Sequence, residues 1–337
     1  MSTPPTIIVG AGPGGLACAA RLAGHGHQVL VLEQKPAPGP KVCAGGIPAR
    51  AATELGLPRE LFDREFPIQH VVTPWQRATI AERHPIISTI PRPRLGTWMA
   101  QEAIRHGAVL RSGCHVTAVD EGLVRLGRET LRCHHLVGAD GSGSLVRRRL
   151  GLSSRFMGAG VHFEVPGDFP HMEWHLEPDL FGSGYAWIFP FQGWASVGAY
   201  AERTHVHPAR LLAGLVRWAA NRGIPLHGLR PRAALVNADH QGLHFGQIHL
   251  VGDAAGLASG FTGEGISAAI LSGWMVADSI AGSPADGRLA RLLVRQRQHH
   301  RLQRLFARPT RWRRPLMELI VLALRLRLLD FRLLELA

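Results

Sequence analysis

The apolar positions change texture along the chain. Thr6 to Val9 is a short β-branched apolar run, Leu16 to Leu22 sets small and apolar residues at helical spacing, and Gln28 to Leu32 is continuous and apolar again. That order predicts a buried strand, a helix and a second buried strand. Arg92 to Ala108 carries Trp98, Met99, Ala103 and Ile104 at core spacing, which predicts a helix closed by Gly107. Strands are expected near Val116 and Val124 and from Leu131 to Val137. Between residues 155 and 235 the pattern becomes short and alternating: Gly160 to Val165, Met172 to Leu176, Gly184 to Phe189, and Ala195 to Tyr200. These segments predict an antiparallel sheet. Ile248 to Val251 returns to a buried strand, and a long apolar helix follows within Gly252 to Gly273.

The turns between these elements carry the chemistry. The first strand runs directly into Gly10-Ala11-Gly12-Pro13-Gly14-Gly15, and the second ends at Glu33. In a strand–glycine turn–helix–strand unit, Gly10 permits the tight turn, Gly12 lets the backbone approach a pyrophosphate, and Gly15 lets the helix pack on the strand. The helix N-terminus offers free N–H groups to phosphate, and the carboxylate accepts from ribose hydroxyls. Two more turns, "GADGSGSLVRRRL" from Gly138 and "GDAAGLASGFTGEG" from Gly252, each follow a predicted strand. No internal repeat separates the three turns. The expected organisation is therefore a discontinuous dinucleotide-binding unit (residues 1–65, 92–154 and 232–285), with an antiparallel-sheet substrate unit (66–91 and 155–231) inserted into it. Trp174, Trp187 and Phe189 lie on the inserted strands, as an aromatic core or as the floor of an apolar substrate pocket.

Composition adds one feature to this picture. The 38 basic residues include only two lysines, Lys35 and Lys41, and the formal net charge is +13. Ten arginines and no acid lie between Arg288 and Arg314, and Leu316 to Leu336 then carries leucines on most faces. A basic helix before an amphipathic one fits anionic lipid. It also fits a protein partner, or a helix covering a substrate channel, so residues 286–337 are read as a helical C-terminal segment whose partners bind within 288–337. Nothing in fold or aromatic pattern points to nucleic acid. The four cysteines form no CxxC pair and have no zinc spacing, so no metal is expected and a reduced cytoplasmic protein is the simplest account. The tail adds an expectation of peripheral contact at the inner membrane face. No basic region precedes the first apolar run, so no signal peptide is expected, and the longest apolar run, Leu319 to Leu324, is too short to span a bilayer.

The three motifs in this order resemble the FAD-dependent oxidoreductases of the aromatic-hydroxylase fold, which include monooxygenases, halogenases and geranylgeranyl reductases. The resemblance covers most of residues 1 to 285. It implies an α/β Rossmann-type FAD-binding domain with an inserted antiparallel sheet. FAD would be held non-covalently by Gly10, Gly12, Gly15 and Glu33, with Pro13, Gly14 and Gln34 beside them. Asp140 and Gly141 would shape a cofactor loop with Arg147 as its basic partner, and Asp253 would meet the ribityl–pyrophosphate region. The turn from Thr262 through Gly263, Glu264 and Gly265 to Ile266 would set backbone N–H groups on the flavin ring.

Within that group, Lys41-Val42-Cys43-Ala44-Gly45-Gly46, Tyr185-Ala186-Trp187-Ile188-Phe189-Pro190 and TGEGI at 262–266 resemble the geranylgeranyl reductases. The resemblance places Lys41, Cys43, Gly45 and Gly46 near the flavin, with Arg92 matching the start of the family's R-x-x-F-D helix. The Phe and Asp of that helix are Leu95 and Gly96 here, a family glycine is Ala44, and the residues before TGEG are Gly260-Phe261. Halogenases share a stretch like YAWIFP but depend on a separate lysine, and none lies beyond Lys41. Two reactions are therefore expected. The first reduces a C=C bond of an apolar substrate, with Cys43 and Tyr185 as proton donors. The second hydroxylates an aromatic ring of a small molecule or a protein side chain. A non-catalytic peripheral flavoprotein is the third reading. No second GxGxxG marks a nicotinamide site, but the resemblance implies that such a site needs none, so both NAD(P)H and a small redox protein stay open as electron donors.

Overall fold

The computed structural model describes residues 3–284, 287–307 and 310–335. Residues 1, 2 and 285 of the expected cofactor unit, and 286, 308, 309, 336 and 337 of the expected tail, lie outside them. The first strand, Thr6–Val9, sits at the centre of a six-stranded sheet between Leu136–Gly138 and Val29–Leu32. Those pairings are parallel, as are the pairings of Val29–Leu32 with Val109–Arg111 and of Leu136–Gly138 with Ile248–Leu250. A short antiparallel strand, His244–Phe245, closes one edge. Three well-separated chain segments therefore build one sheet. Their strands are almost wholly apolar, as expected of strands buried in a parallel sheet.

The helix Pro13–Gly24 packs on this sheet and against Ile266–Ile280. Their approach is close: a Cβ at Gly273 would stand 2.3 Å from the Gly14 carbonyl oxygen.

The second sheet has seven strands in the order Arg232–Asn237, Met157–Pro166, Trp194–Glu202, Tyr185–Phe191, Met172–His175, Ile68–Val72, Arg77–Ala81. All of its pairings are antiparallel except Met172–His175 with Ile68–Val72. Successive side chains point to opposite faces. Along Tyr185–Phe191, Ala186 and Ile188 enter the cluster beneath the helix Pro208–Ala220 with Trp218 and Phe181, whereas Trp187 and Phe189 face the other way with Tyr200 and Met172.

Three elements depart from the sequence reading. Arg232–Asn237, expected within the cofactor unit, pairs along its length with Met157–Pro166 of the antiparallel sheet, and it also takes a hydrogen bond from Ser142 and gives one to Asp253. The expected strand Leu131 to Val137 is two strands, Glu129–Arg132 and Leu136–Gly138, in different sheets. The helix Pro208–Ala220 was not anticipated, although Leu211, Leu215, Trp218 and Ala219 are buried at helical spacing along it.

The C-terminal segment forms two helices, Arg288–Phe306 and Thr310–Arg325. The first is basic, but it buries Leu292, Gln296, His299, Gln303 and Phe306. The second packs on the strand Arg77–Ala81 and buries Met317, Val321 and Leu324. No described helix is long and apolar enough to cross a membrane.

Candidate active site

A single cavity of about 790 Å³ runs from the glycine turn of the parallel sheet to the inner face of the antiparallel sheet. Its first end is polar backbone. Gly10 has φ +103°, and a Cβ there would lie 2.5 Å from the Ala139 carbonyl oxygen, so only glycine fits. At Gly15 a Cβ would meet the Gly10 carbonyl oxygen at 2.1 Å. Gly15 thus seats the helix on the strand and lies off the cavity wall. Gly12 differs: the nearest protein atom to its Cβ position is 3.9 Å away, which leaves this backbone open to the cavity. Pro13, Gly14 and Gln34 line the same end.

Glu33 is buried; its Oε2 accepts from the Ala11 N–H at 2.7 Å and its Oε1 from the Lys35 N–H at 2.9 Å. Each oxygen keeps a lone pair for a further donor. Arg92 is also buried on the wall, and neither its Nε nor its Nη1 has a hydrogen-bond partner among the described residues. A buried guanidinium without a protein acceptor fits an anionic ligand. The open Gly12 backbone, the N-terminus of the helix Pro13–Gly24, the Glu33 carboxylate and the orphaned Arg92 thus fit the pyrophosphate and ribose of an adenine dinucleotide.

Asp253 is held by Lys41, whose Nζ lies 2.8 Å away, and by the Ser142 hydroxyl, which donates at 2.9 Å. Gly141 lines the cavity next to Asp140, whose Oδ2 accepts from the Leu145 N–H at 2.6 Å. Burial pushes the Asp140 carboxyl above its ordinary value. The expected pairing of Arg147 with this aspartate is absent. Arg147 instead reaches the Asp239 carboxylate at 3.8 Å and three backbone carbonyls.

The turn from Ser259 to Gly265 leads into the helix Ile266–Ile280, whose first-turn N–H groups open on the cavity. Gly263, Glu264, Gly265 and Ile266 all line it. This turn is held from both sides. The Ser259 hydroxyl accepts from the Phe261 and Thr262 N–H groups. The chain's two tyrosines both donate to the turn's carbonyls, Tyr185 to Thr262 and Tyr200 to Gly260. Gln296 of the basic helix donates to the Gly256 and Ala258 carbonyls. Gly260, one of the departures from the family pattern, is pressed by Gln303: a Cβ would lie 2.6 Å from its Oε1. Gly96, another departure, is also tightly enclosed: a Cβ there would lie 2.3 Å from the Gly39 Cα.

The KVCAGG loop joins the two ends of the cavity. Lys41 is anchored at Asp253, and the half-buried Cys43 lies on the wall with its Sγ accepting from the Gly45 N–H at 3.4 Å. On their Cβ side, Gly45 and Gly46 are closely approached by protein. A Cβ at Gly45 would lie 2.6 Å from the Phe191 ring, and one at Gly46 2.5 Å from the Phe189 ring. Gly46 still lines the cavity, while Gly45 is behind it.

Trp174, Trp187 and Phe189 form the distal wall, with Trp174 and Phe189 edge to face at 4.8 Å. Trp187 donates to the Ser196 hydroxyl and Trp174 to the Gln69 side chain, so both indoles are satisfied. Tyr185 lies beside Trp174 at 5.2 Å. Burial first, then Tyr200, Cys43 and Glu264, push its phenol well above the ordinary value, and its proton is given to the Thr262 carbonyl. That geometry suits positioning of the turn better than proton supply.

The far wall is formed by Met317, Ile320, Leu324, Phe331 and Glu335 of the C-terminal segment, in line with the reading of a helix covering a substrate channel, although none of these residues was singled out from sequence. The helical spacing of Met317, Val321 and Leu324 was the available signal. Burial pushes the Glu335 carboxyl up to about 7. Among the described residues no group of histidine, cysteine and carboxylate side chains is arranged to hold a metal.

A parallel sheet carrying a glycine turn and a ribose-facing carboxylate, opening on a cavity roofed by an inserted antiparallel sheet, defines a flavoprotein of the dinucleotide-binding class. The chain belongs to the FAD binding domain family, which matches residues 3–175, and it is an FAD-dependent oxidoreductase. It is 28% identical over 320 residues to digeranylgeranylglycerophospholipid reductase 2 of Methanothermobacter thermautotrophicus, covering 87% of this chain and 83% of that one. It is 27% identical over 327 residues to a 12-dehydrotetracycline 5-monooxygenase/anhydrotetracycline 6-monooxygenase of Streptomyces rimosus, covering 82% and 63%. Its fold is similar to that of a geranylgeranyl bacteriochlorophyll reductase-like protein from Thermoplasma acidophilum, with a TM-score of 0.81 and 22% identity over 96% of this chain and 92% of that one.

Proposed function

We propose that this protein reduces carbon–carbon double bonds in an apolar, isoprenoid-like substrate. The observation that carries the reading is the cavity itself. It is continuous from the dinucleotide end to a wall of Trp174, Trp187, Phe189, Leu324 and Phe331, which offers a long hydrocarbon chain apolar contact and few hydrogen-bonding groups. The similarity to a reductase of a polyisoprenyl lipid supports it.

FAD, when bound, supplies the hydride, and NAD(P)H is the proposed source of electrons. The chain's own residues then have three tasks. The aromatic wall fixes the alkene and excludes water. The turn at Thr262–Gly265, braced by Tyr185 and Tyr200, presents N–H groups to negative charge. Cys43 holds a proton at Sγ, beside Tyr185 and between the two ends of the cavity, for the alkene carbon that does not receive hydride.

The test is anaerobic. Reduced protein mixed with a polyprenyl substrate is expected to reoxidise without oxygen and to yield the saturated product. Reoxidation that requires oxygen, with an oxygen atom added to an aromatic ring, would overturn this reading for the monooxygenase, which the similarity to the tetracycline enzyme supports. Cys43→Ser is expected to lower turnover by about 10²-fold or more, because a hydroxyl is a far weaker acid, while FAD content stays the same. Unchanged turnover would make Cys43 a packing residue.

A further inference from the structure

The terminal helix Thr310–Arg325 is apolar on two opposite faces. One lines the cavity through Met317, Ile320 and Leu324. On the other, Trp312, Pro315, Leu319, Leu322 and Leu326 recur at steps of three and four residues, which makes one continuous stripe. All of them are exposed, Leu319 to 62% and Leu326 to 57%. Leu328, 78% exposed, and Trp75, 68% exposed, add to the apolar surface. Trp75 belongs to the turn bound to this helix: Gln76 donates to the Glu318 carbonyl and carboxylate, and the Arg314 guanidinium lies over the Trp75 ring at 5.6 Å. Apolar side chains scattered singly over a surface need no explanation, but an aligned stripe marks an interaction surface.

The charge around the stripe indicates what covers it. The helix's one carboxylate, Glu318, is buried and accepts from Thr73 and Gln76. Arg325 and Arg327 are exposed at the C-terminal end of the stripe, while Arg314, near its start, is ion-paired with Asp179. The adjoining helix Arg288–Phe306 exposes Arg291, Arg297, Arg301 and Arg304 and contains no acid. A second copy seated on the same stripe by a two-fold axis would bring a surface of the same positive sign against it. An anionic bilayer surface is complementary to both the leucines and the arginines.

We propose that the outer face of Thr310–Arg325 docks on membranes containing anionic lipid, with Trp312, Leu319, Leu322 and Leu326 at the boundary between headgroups and acyl chains. Docking there brings the far wall of the cavity against the bilayer, so that an apolar substrate passes from lipid to site without crossing water. This delivery step rests on the reductase reading, whereas docking itself does not.

The experiment uses the full-length, FAD-loaded protein and sedimentation with vesicles of phosphatidylcholine alone or mixed with phosphatidylglycerol. Binding to the mixed vesicles is expected, weakened at least about tenfold by removing the anionic lipid or by high salt. The double variant Leu319→Glu, Leu322→Glu is expected to lose binding at least about tenfold with the same FAD content and elution volume. Two results would overturn the proposal: no wild-type binding to mixed vesicles, or equal binding by the double variant. A wild-type dimer that the double variant converts to monomer would also overturn it, in favour of the second copy. Anaerobic reoxidation by detergent-solubilised polyprenyl substrate, measured on both proteins, reports the reductase reading separately, so either idea can fail while the other stands.

Discussion

Arg92→Met is expected to bind FAD about 10- to 100-fold more weakly than the wild type, while its apoprotein unfolds at the same temperature or higher. Arg92 opens the helix Arg92–Arg105 and is buried on the cavity wall with Nε and Nη1 lacking a partner among the described residues. An uncompensated buried charge costs several kcal/mol, so this arginine weakens the empty protein and is compensated only when an anion arrives. A charge-assisted hydrogen bond is worth about 1.5–3 kcal/mol, which is the stated loss of affinity. Methionine keeps the length and apolar stem of the side chain and removes the charge. The two signs together are diagnostic. Titration of the deflavinated variant with FAD, followed by thermal unfolding of both forms, measures them. Unchanged FAD affinity with a lowered apoprotein midpoint would make Arg92 an ordinary structural arginine.

Local pattern made the cofactor end legible, because its physics is local. A buried strand, a turn only glycine can make and a carboxylate one strand later are all encoded within residues 6–33, and the structure assembles them with Glu33 accepting from Ala11. The alternation of YAWIFP was equally legible as a strand. Which side faces the cavity was not, because the helix Pro208–Ala220 decides it by covering Ala186 and Ile188. That helix went unread: its apolar spacing lies inside a segment whose texture is otherwise that of strands.

KVCAGG shows a different limit. Two adjacent glycines signal close approach, but the approaching group is not named by them. On the Cβ side it is the rings of Phe189 and Phe191, far along the chain, which an aromatic strand places there only after the antiparallel sheet has formed. The far wall of the cavity is the extreme case. Thr310–Arg325 reads as amphipathic, yet its use of both faces depends on where the helix docks, and Gln76 and Thr73 determine that through Glu318.

Arg147→Met is expected to cost about 3–5 kcal/mol of stability and to lower the unfolding midpoint on the order of 10 °C. By motif the arginine belongs with Asp140, but Asp140 spends its Oδ2 on the N–H groups of Leu145 and Val146. Arg147 is almost fully buried and directs its fork elsewhere. Nη2 donates to the Ser153 carbonyl at 2.6 Å and the Asp239 carbonyl at 2.7 Å, and Nη1 to the Ala254 carbonyl at 3.1 Å. These carbonyls belong to three segments that meet where the parallel sheet passes into the antiparallel one. Methionine would fill much of the volume and leave the buried Ala254 and Asp239 carbonyls without their donor, whereas the Ser153 carbonyl and the Asp239 carboxylate keep the Gln241 amide; each unsatisfied group costs about 1–3 kcal/mol. Arg147→Lys is expected to recover only part of the loss, since an ammonium lacks the planar fork that reaches three acceptors at once. Because the junction carries Asp253 through the Asn237 side chain, which donates to the Asp253 carbonyl at 3.0 Å, the methionine variant should also bind FAD more weakly. Thermal unfolding of the three proteins with and without FAD separates the effects. A methionine variant with an unchanged midpoint would show that the junction is held by its sheets alone.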